Sequence, residues 1–500
     1  MTQKFLYPLR DFSLGQNDKD APNLIPDNAL VEAKNAILGK GFVAKRHGYQ
    51  RYSNQLASPI TTLFEYFKFD GSREFLAVSK NQLYKDSSGT LTAITGTLTT
   101  SDAKMIAYKN RSIQDVVLIA DKGKLKVYNG TSVSEVVPYS PTTQEQGNPG
   151  LNDLNNLTNF RTIAIKKDRI FAAAHPTVKN RISFCHRDPY IGYAVFDYWP
   201  APFFIDVATE DNDEIVELKV FRDALIILCK RSIWVLYGDG ITINDYQLLK
   251  INVPTGCIAP NSVQIVGNDL FYLAEDHVYR LFTTDQNFIS AVIVSENIEN
   301  TLKSIPRSDK EKAVGAFFDN KYYLSFPNGT CLVYDTLLGA WVKWTNVQAN
   351  SFLNRDGVLF FSSNTGYIYQ FDETVYNDDG QPIYFSITTK NFDFGYDVQD
   401  KKIRRIWTVT KQYDQLSSSF TLKAKIDYVE TMLTDISTDQ SLVWDEGNWD
   451  ETFWDWVDVV RNELRIRYRG KNIQLIIGNN ELNEPLTIYG IVFQYKLKRP

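Results

Sequence analysis

The residues best suited to chemistry are few in this 500-residue chain, and they do not form a recognisable catalytic set. His186 follows Cys185 and precedes Asp188 by two residues, a grouping that occurs in metal sites and around nucleophiles. No further residues that would complete a metal site or a nucleophilic site are identifiable in the sequence. A structural histidine on a hairpin is therefore the favoured interpretation. The other histidines are His47, His175 and His277.

Motifs of the common catalytic families are missing from the sequence. There is no Gly-x-Ser-x-Gly elbow, no glycine loop that cradles phosphate and no His-Glu-x-x-His. The acidic run Glu210-Asp-Asn-Asp-Glu214 contains carboxylates that would suit glycoside hydrolysis. A single acidic run is more often a solvated loop or a cation site. We therefore predict no enzymatic activity, no bound metal and no cofactor.

A second conspicuous stretch repeats Trp-Asp at intervals of five residues. Its tryptophans are Trp444, Trp449, Trp454 and Trp456. A period of five fits neither a helix nor a strand, which predicts an irregular segment with buried indoles and Asx-type turns. Three interpretations of the segment stay open: a loop that packs on its own domain, a subunit interface anchored by tryptophan, or an aromatic platform that binds a sugar. We take the four tryptophans as candidate assembly residues.

Composition narrows the functional classes further. A net charge of -5 gives no general basic field, so binding DNA through phosphate contacts is not expected to be the main task. This weak net charge is still compatible with a surface past which DNA moves. Four cysteines without a Cys-x-x-Cys pair indicate assembly in a reducing compartment. The N-terminal residues do not resemble a signal peptide, and no apolar run is long enough to predict a membrane span.

Short aromatic strands recur through the middle of the chain, each followed by a turn. The seven marker residues are Tyr84, Tyr128, Phe184, Trp234, Tyr279, Tyr334 and Tyr369. Their mean spacing is about 48 residues, the period of a β-propeller blade. Companion strands such as 116–120 and 224–228 are continuously apolar, as strands buried between two blades should be.

The pattern predicts an all-β chain: a degenerate six- or seven-bladed β-propeller with an N-terminal arm and a C-terminal β-sandwich. We place the extended arm and first strand at 1–57, the propeller at 58–372 and the sandwich at 373–500, where strands alternate over longer stretches. An insertion at about 138–159 interrupts the propeller. The arm packs on a neighbour or wraps its own domain. A sandwich or solenoid built from the same hairpins is the competing architecture.

Helical periodicity is almost absent. Residues 29–38 are expected to form one short helix or an irregular arm, and 295–304 is the best helical candidate elsewhere.

Four features taken together resemble a known protein family. They are the arm with Asn35-Ala-Ile-Leu and Lys45-Arg-His-Gly-Tyr, the degenerate blades with Val333-Tyr-Asp-Thr and Trp341-Val-Lys-Trp, the Trp-Asp repeats, and the ending with Arg469-Gly-Lys-Asn-Ile and Leu486-Thr-Ile-Tyr-Gly. The chain resembles the tail nozzle or tail hub proteins of short-tailed bacteriophages, which are also called stabilisation or tail tubular proteins. The resemblance covers nearly the whole chain and transfers no site residues.

The resemblance implies a structural virion protein in the phage tail, assembled in the host cytoplasm. It implies a homo-oligomeric ring of six copies below the portal and the head–tail adaptor protein. Such a ring extends and closes the DNA-ejection channel, lets viral DNA pass without sequence-specific binding, and anchors tail fibres or spikes that meet the host envelope. The segments 138–159 and 210–214 are candidates for gate or docking elements.

Two other functions stay open from the sequence. One is a propeller that binds host surface glycans or hydrolyses them as a glycosidase. The other is a cellular scaffold propeller.

Overall fold

The computed structural model describes residues 3–110, 114–137, 159–187, 194–207, 212–238, 240, 245–284, 289–413, 416–438 and 459–498. The Trp-Asp segment 444–456 lies outside these residues, as do Asp188, Glu210, Asp211 and all of the predicted insertion except Asn159. The chain is all-β, with 55% strand and 4% helix.

The N-terminal arm consists of short strands rather than a helix. They are β1 (Phe5–Leu9), β2 (Gly15–Gln16), β3 (Ala29–Lys34), β4 (Ala36–Gly39), β5 (Phe42–Lys45) and β6 (Gly48–Arg51). The helix or irregular arm expected at 29–38 is therefore wrong. β3 and β4 fill this stretch, and Asn35 between them adopts a φ of 50°, a left-handed conformation that asparagine tolerates better than most residues.

The described residues of the central region form seven four-stranded antiparallel blades. Blades one and two contain β7 (Ile60–Phe67), β8 (Arg73–Ser79), β9 (Gln82–Ser87), β10 (Thr90–Ala93), β11 (Lys104–Lys109), β12 (Asp115–Ala120), β13 (Lys126–Tyr128) and β14 (Val133–Glu135). Blade three contains β15 (Thr162–Lys166), β16 (Arg169–Ala173), β17 (Arg181–Phe184), the small pair β18 (His186–Arg187) and β19 (Ala194–Val195), and then β20 (Phe204–Asp206). Blades four and five contain β21 (Ile215–Phe221), β22 (Ala224–Cys229), β23 (Ile233–Tyr237), β24 (Gln247–Ile251), β25 (Gln264–Val266), β26 (Asp269–Leu273), β27 (Val278–Thr283) and β28 (Ile289–Ile293).

The last two blades complete the propeller. Blade six contains β29 (Val314–Phe318), β30 (Lys321–Ser325), β31 (Cys331–Asp335) and β32 (Ala340–Trp344). A short 3-10 turn at Pro260–Ser262 lies between blades four and five, and a second at Glu296–Ile298 lies between blades five and six with the helices α1 (Glu299–Ser304) and α2 (Arg307–Lys310). The helical expectation at 295–304 is therefore confirmed. Blade seven contains β33 (Ser351–Arg355), β34 (Val358–Ser362) and β35 (Ile368–Asp372).

The arm closes the propeller. β6 pairs antiparallel with β35, so blade seven takes its fourth strand from the other end of the chain, and β36 (Asn377–Asp378) and β37 (Gln381–Pro382) continue that sheet. Seven hydrophobic clusters fill the seven interfaces between neighbouring blades, including the interface between blades seven and one. The β-propeller prediction is thus confirmed, and the blade number is seven.

The recurring aromatic marker has a structural meaning. All seven markers lie in the third strand of their blade. The second strands are the most buried because neighbouring blades cover both of their faces. β22 is buried at every position, for example, whereas β24 in the same blade is largely open to solvent.

The C-terminal region is a two-sheet sandwich. Its strands are β38 (Phe385–Thr389), β39 (Lys401–Lys411), β40 (Ser418–Ile426), β41 (Val429–Thr438), β42 (Val459–Gly470), β43 (Ile473–Asn479) and β44 (Thr487–Leu497). One sheet has the order β4-β5-β44-β39-β42, with β1 also paired to β44. The other has the order β3-β38-β43-β40-β41 and continues through β3 into the four strands of blade six. Strand alternation, as in the burial pattern of β40, directs one face of each sheet into the shared core.

Candidate assembly interface

A buried polar cluster joins the arm, the propeller and the sandwich. The Arg46 guanidinium donates two hydrogen bonds to Asp378, at 2.7 and 2.6 Å, and both side chains are almost fully buried. Its Nε donates to Asn35 Oδ1 at 3.0 Å. Asn35 Nδ2 donates to Thr345 Oγ1 and to the Tyr384 carbonyl, both at 2.8 Å. We call Asn35, Arg46, Thr345 and Asp378 the junction cluster.

The junction cluster explains two of the sequence features that carried the resemblance. Asn35 begins the Asn-Ala-Ile-Leu stretch, and Arg46 lies in Lys-Arg-His-Gly-Tyr. Lys45 continues the buried network, since its Nζ donates to Asn479 Oδ1 at 2.7 Å and to the Glu481 carbonyl at 3.0 Å. Burial lowers the pKa of Lys45 to about 8. These basic residues therefore position the sandwich on the propeller and are not available to a ligand.

The sandwich has one open side, bordered by two edge strands. β41 pairs only with β40, and β42 only with β39, as far as the described residues extend. β41 ends at Thr438 and β42 begins at Val459, so the tryptophan segment connects the two edges. The exposed apolar side chains here include Val429 at 67% and Met432 at 54%. Unpaired edges with apolar side chains are surfaces on which another chain can add a strand.

The turn between β40 and β41 is conformationally unusual. Asp427 and Tyr428 have φ values of 47° and 71°, the left-handed conformation that a two-residue hairpin turn requires and that glycine or asparagine normally supplies. Asp427 is held by backbone N–H groups of Lys471 and Asn472, at 2.8 and 3.2 Å. Tyr428 is 74% exposed and has no such constraint from packing. An exposed aromatic at a strained tip is a candidate contact residue.

A cleft on the propeller, between blades one and seven, contains a salt-bridge network. Its volume is about 400 Å³, and charged residues dominate its walls. Glu74 is paired with Lys68 at 2.6 Å and Lys85 at 2.8 Å, and it accepts a hydrogen bond from Tyr128 at 2.9 Å. On the other side of the cleft, Arg355 lies within 4 Å of Glu65, Asp86 and Asp356.

The electrostatics of this cleft do not suit glycoside hydrolysis. Burial by itself raises the pKa of Glu74, but the hydrogen bonds from Lys68, Lys85 and Tyr128 outweigh it and lower the pKa below its usual value. A glycosidase requires a carboxyl group whose pKa is raised so that it can protonate the leaving group. Glu74 has the opposite property.

The chemical candidates from the sequence have structural partners. Cys185 is buried, and its Sγ accepts a hydrogen bond from the Ile170 N–H at 3.3 Å. The His186 ring stacks on Phe203 with ring centroids 5.6 Å apart. Within the described ranges, no three His, Cys, Asp or Glu side chains are grouped in a way that would hold a metal ion.

The described half of the acidic run is also structural. Asp213 is buried and accepts hydrogen bonds from Ser232 Oγ and from the Arg231 N–H. Glu214 forms ion pairs with Lys179 and Lys230, whose hydrogen bonds lower its pKa. This half of the run anchors the start of blade four.

The thiols are poorly suited to nucleophilic attack. Burial raises the pKa values of Cys229, Cys257 and Cys331 to about 12, so the reactive thiolate is scarce at neutral pH.

No helix within the described ranges has the length and apolar character needed to cross a membrane.

Sequence reasoning missed the junction cluster because Asn35 and Arg46 lie about 300 residues away from Thr345 and Asp378 in the chain. The available signal was the pair Lys45-Arg46 between short apolar strands, since two adjacent charges in such a context need buried partners. The four candidate tryptophans lie outside the described residues, and the structure brings only their flanking strands, β41 and β42, to one side of the sandwich.

Comparison with known proteins identifies no family for this chain. No protein-family description and no curated protein matches the sequence. Virginiamycin B lyase from Staphylococcus aureus is similar in structure, with 10% identity, a TM-score of 0.42, and coverage of 65% of this chain and 98% of the lyase. The Pan2 WD40 domain of Neurospora crassa has 11% identity, a TM-score of 0.36 and coverage of 63% and 90%.

BamB from Moraxella catarrhalis is a third such protein, with 10% identity, a TM-score of 0.36, and coverage of 67% of this chain and 90% of BamB. All three are β-propeller proteins, and the likeness concerns the fold alone. By its own sheet topology, the chain is a seven-bladed β-propeller protein with a C-terminal β-sandwich that is completed by N-terminal strands.

Proposed function

We propose that this chain is a structural virion protein that forms the tail nozzle or tail hub ring of a short-tailed bacteriophage. In this role it extends and closes the DNA-ejection channel below the portal and adaptor, and it anchors tail fibres or spikes. The family resemblance in the sequence motivates the proposal. The structural observation that supports it best is the open side of the sandwich, where edge strands β41 and β42 flank the four-tryptophan segment.

Ring formation requires a heterologous interface, in which one surface of a copy meets a different surface of the next. Two exposed strand edges with apolar side chains provide one half of such an interface. The junction cluster and the continuous sheet from blade six into the sandwich join the two parts of the chain, so that the next copy can contact a surface on either part.

The alternative as a glycan-binding propeller or glycosidase lacks support of this kind. The cleft that would hold a glycan is crossed by ion pairs, and its buried Glu74 is kept ionised. The experiment must still separate the two functions.

Electron microscopy of the purified full chain, alone and with a head–tail adaptor protein, tests the proposal. We expect closed rings, with six copies as the expected number.

Met432→Lys and Val429→Lys place a charge on the exposed edge of β41, so both should prevent ring formation and leave the melting temperature unchanged. Leu337→Lys is the matched control, because Leu337 is 76% exposed in the turn between β31 and β32 of blade six.

The tryptophan segment gives a second test of the same proposal. We expect Trp449→Ala and Trp454→Ala to weaken folding or ring formation, without any catalytic defect. Trp407→Ala, on β39 of the sandwich, is the control for losing an indole elsewhere. A chain that stays monomeric with its adaptor and binds or cleaves oligosaccharide would show that the proposal is wrong.

A further inference from the structure

One face of the sandwich carries a concentration of positive charge that the net charge of -5 conceals. Strands β42, β39 and β44 lie side by side in that order. β39 has five lysines and arginines and no acidic residue, and β42 has four arginines and one glutamate. Lys402 on β39 lies opposite Arg469 on β42 and opposite Lys496 on β44.

A β-bulge increases the charge on this face. The pairing register between β39 and β44 shifts between Ile403 and Arg405, where the extra residue is Arg404. Ile403 and Ile406 are both buried in the sandwich core, so the bulge leaves Arg404 and Arg405 adjacent between them. A regular strand would have directed one of these two arginines into the core.

Five of these cations lack an acidic partner within the part of the chain that the structure describes. They are Lys402, Arg404, Arg467, Lys496 and Lys498, and we call them the basic face. The neighbouring cations differ: Arg405 and Arg465 are paired with Glu463, and Arg469 with Asp400. Arg404 Nε is also shielded from solvent without a hydrogen-bond acceptor.

The members of the basic face are close enough to repel one another. The charge of Arg404 is the largest influence on Lys402 and lowers its pKa, with a smaller contribution from desolvation and further ones from Lys498, Arg467 and Lys496. Elsewhere in the described chain, most exposed lysines and arginines of the propeller have ion-pair partners, such as Lys124 with Glu135 and Arg307 with Glu275. The repulsion among the cations of the basic face would be relieved by a polyanion.

We propose that the basic face binds the phosphate backbone of duplex DNA without sequence preference. This binding goes beyond the proposed ring, because one copy of the chain carries the whole face. The contact is electrostatic and makes no use of base edges, so it fits DNA that moves past the surface.

The geometry favours a linear polymer with regularly spaced charges. Lys402 and Arg404, both members of the basic face, are alternate residues on β39, and alternate residues on a strand are about 6.6 Å apart. A DNA strand carries one phosphate for about every 3.4 Å of helix axis, so this interval corresponds to every second phosphate. The acidic residues of segment 439–458 come in groups five residues apart, as at Asp445, Asp450 and Asp455, and do not share this interval.

Fluorescence anisotropy of the full chain with a labelled 20-base-pair duplex of arbitrary sequence tests the proposal. Five phosphate contacts predict a slope of about -4.5 for log K against log salt, which is roughly a 500-fold loss of affinity between 50 and 200 mM NaCl. Each contact removed should reduce the slope by about 1. The quadruple variant K402Q/R404Q/R467Q/K496Q should therefore lose only about 4-fold over the same range, and should bind much more weakly at 50 mM.

The control variant K124Q/K303Q/R307Q/K423Q removes the same amount of charge from four exposed cations elsewhere. It should keep the slope of the original chain. Circular dichroism melting checks that both variants fold. The proposal is wrong if the original chain does not bind the duplex at 50 mM NaCl, or if the two variants weaken binding equally.

A synthetic peptide of residues 439–458 separates DNA from an acidic protein partner. If the peptide binds to the basic face and the duplex does not, the face is a protein-docking surface and the proposal is overturned. Electron microscopy of the quadruple variant should still show the rings expected under the proposed function. Loss of DNA binding with intact rings, and loss of rings with intact DNA binding, are therefore distinguishable results.

Discussion

The propeller and the sandwich are built from the same kind of strand but are connected in opposite ways. In blades one to six, the four core strands follow one another along the chain, and each neighbouring pair is joined by a short turn or, in blade three, a longer connection. In the sandwich, strands from both ends of the chain alternate, so that β44 pairs with β1, β5 and β39. The propeller is thus a repetition of local units, and the sandwich depends on a few long-range contacts.

This difference teaches where the molecule is vulnerable. A damaged blade leaves six others with their own local pairing, whereas the sandwich and the closure of blade seven share one short N-terminal region. Substitutions in the junction cluster and in strands β3 to β6 should therefore destabilise the protein more than substitutions within a single blade.

The largest expected effect follows from substituting Arg46 with methionine. The change leaves the Asp378 carboxylate buried without its guanidinium, and breaking a buried pair in this way costs about 3 to 5 kcal/mol of unfolding free energy. Urea denaturation followed by tryptophan fluorescence measures it. Arg51→Met is the matched control, since its pair with Asp379 is solvent-exposed and contributes about 0 to 1 kcal/mol. Equal effects of the two substitutions would contradict the role of the junction cluster.

The next prediction separates an arm that belongs to the core from one that does not. Leu30 on β3 is 1% exposed and packs in the core shared by blades six and seven and the sandwich. Leu30→Ala should cost about 2 to 5 kcal/mol. Leu24→Ala removes the same atoms from a side chain in the same arm that is 75% exposed, and should change stability by less than about 0.5 kcal/mol. If Leu30→Ala is equally harmless, the arm is not part of the folded core.

A smaller effect should be visible as a dependence on pH. The pKa of Lys45 is about 8 in the folded protein and near its ordinary value when the chain is unfolded. Between these values the unfolded chain binds more protons, so the Lys45 contribution makes stability rise as pH increases from about 8 to 10. We expect a rise of about 1 to 3 kcal/mol relative to Lys45→Met in the same buffers. A difference between the two proteins that does not change with pH would show that Lys45 stays charged.

The smallest predicted effect concerns the basic face. Removing one cation from a repelling group relieves the repulsion, so Lys402→Gln should raise the melting temperature slightly at low salt, and this gain should disappear at high salt. Lys423→Gln on the opposite sheet breaks a pair with Glu430 and should change stability in the other direction or not at all. Thermal melts at two salt concentrations measure both.

The sequence by itself determined the propeller. Marker residues such as Tyr84 and Trp234 recur because six of the seven third strands pack their marker aromatic against the preceding blade, and a local repeat leaves a periodic trace in the chain. The sandwich was visible as alternation in β40 and β44, since one buried face imposes a period of two.

Only the tertiary structure decided how these parts join. The pairing of β6 with β35, the contact between Arg46 and Asp378, and the position of β3 between blade six and the sandwich connect residues hundreds of positions apart. Such contacts depend on the shapes and charges of segments that are distant in the sequence. A local sequence period therefore does not predict them. The basic face arose in the same way. Four of its five cations lie on three neighbouring strands and Lys498 directly follows β44, so the lateral order of these strands in one sheet brings the cations together. The net charge of -5 does not reveal this local excess of positive charge.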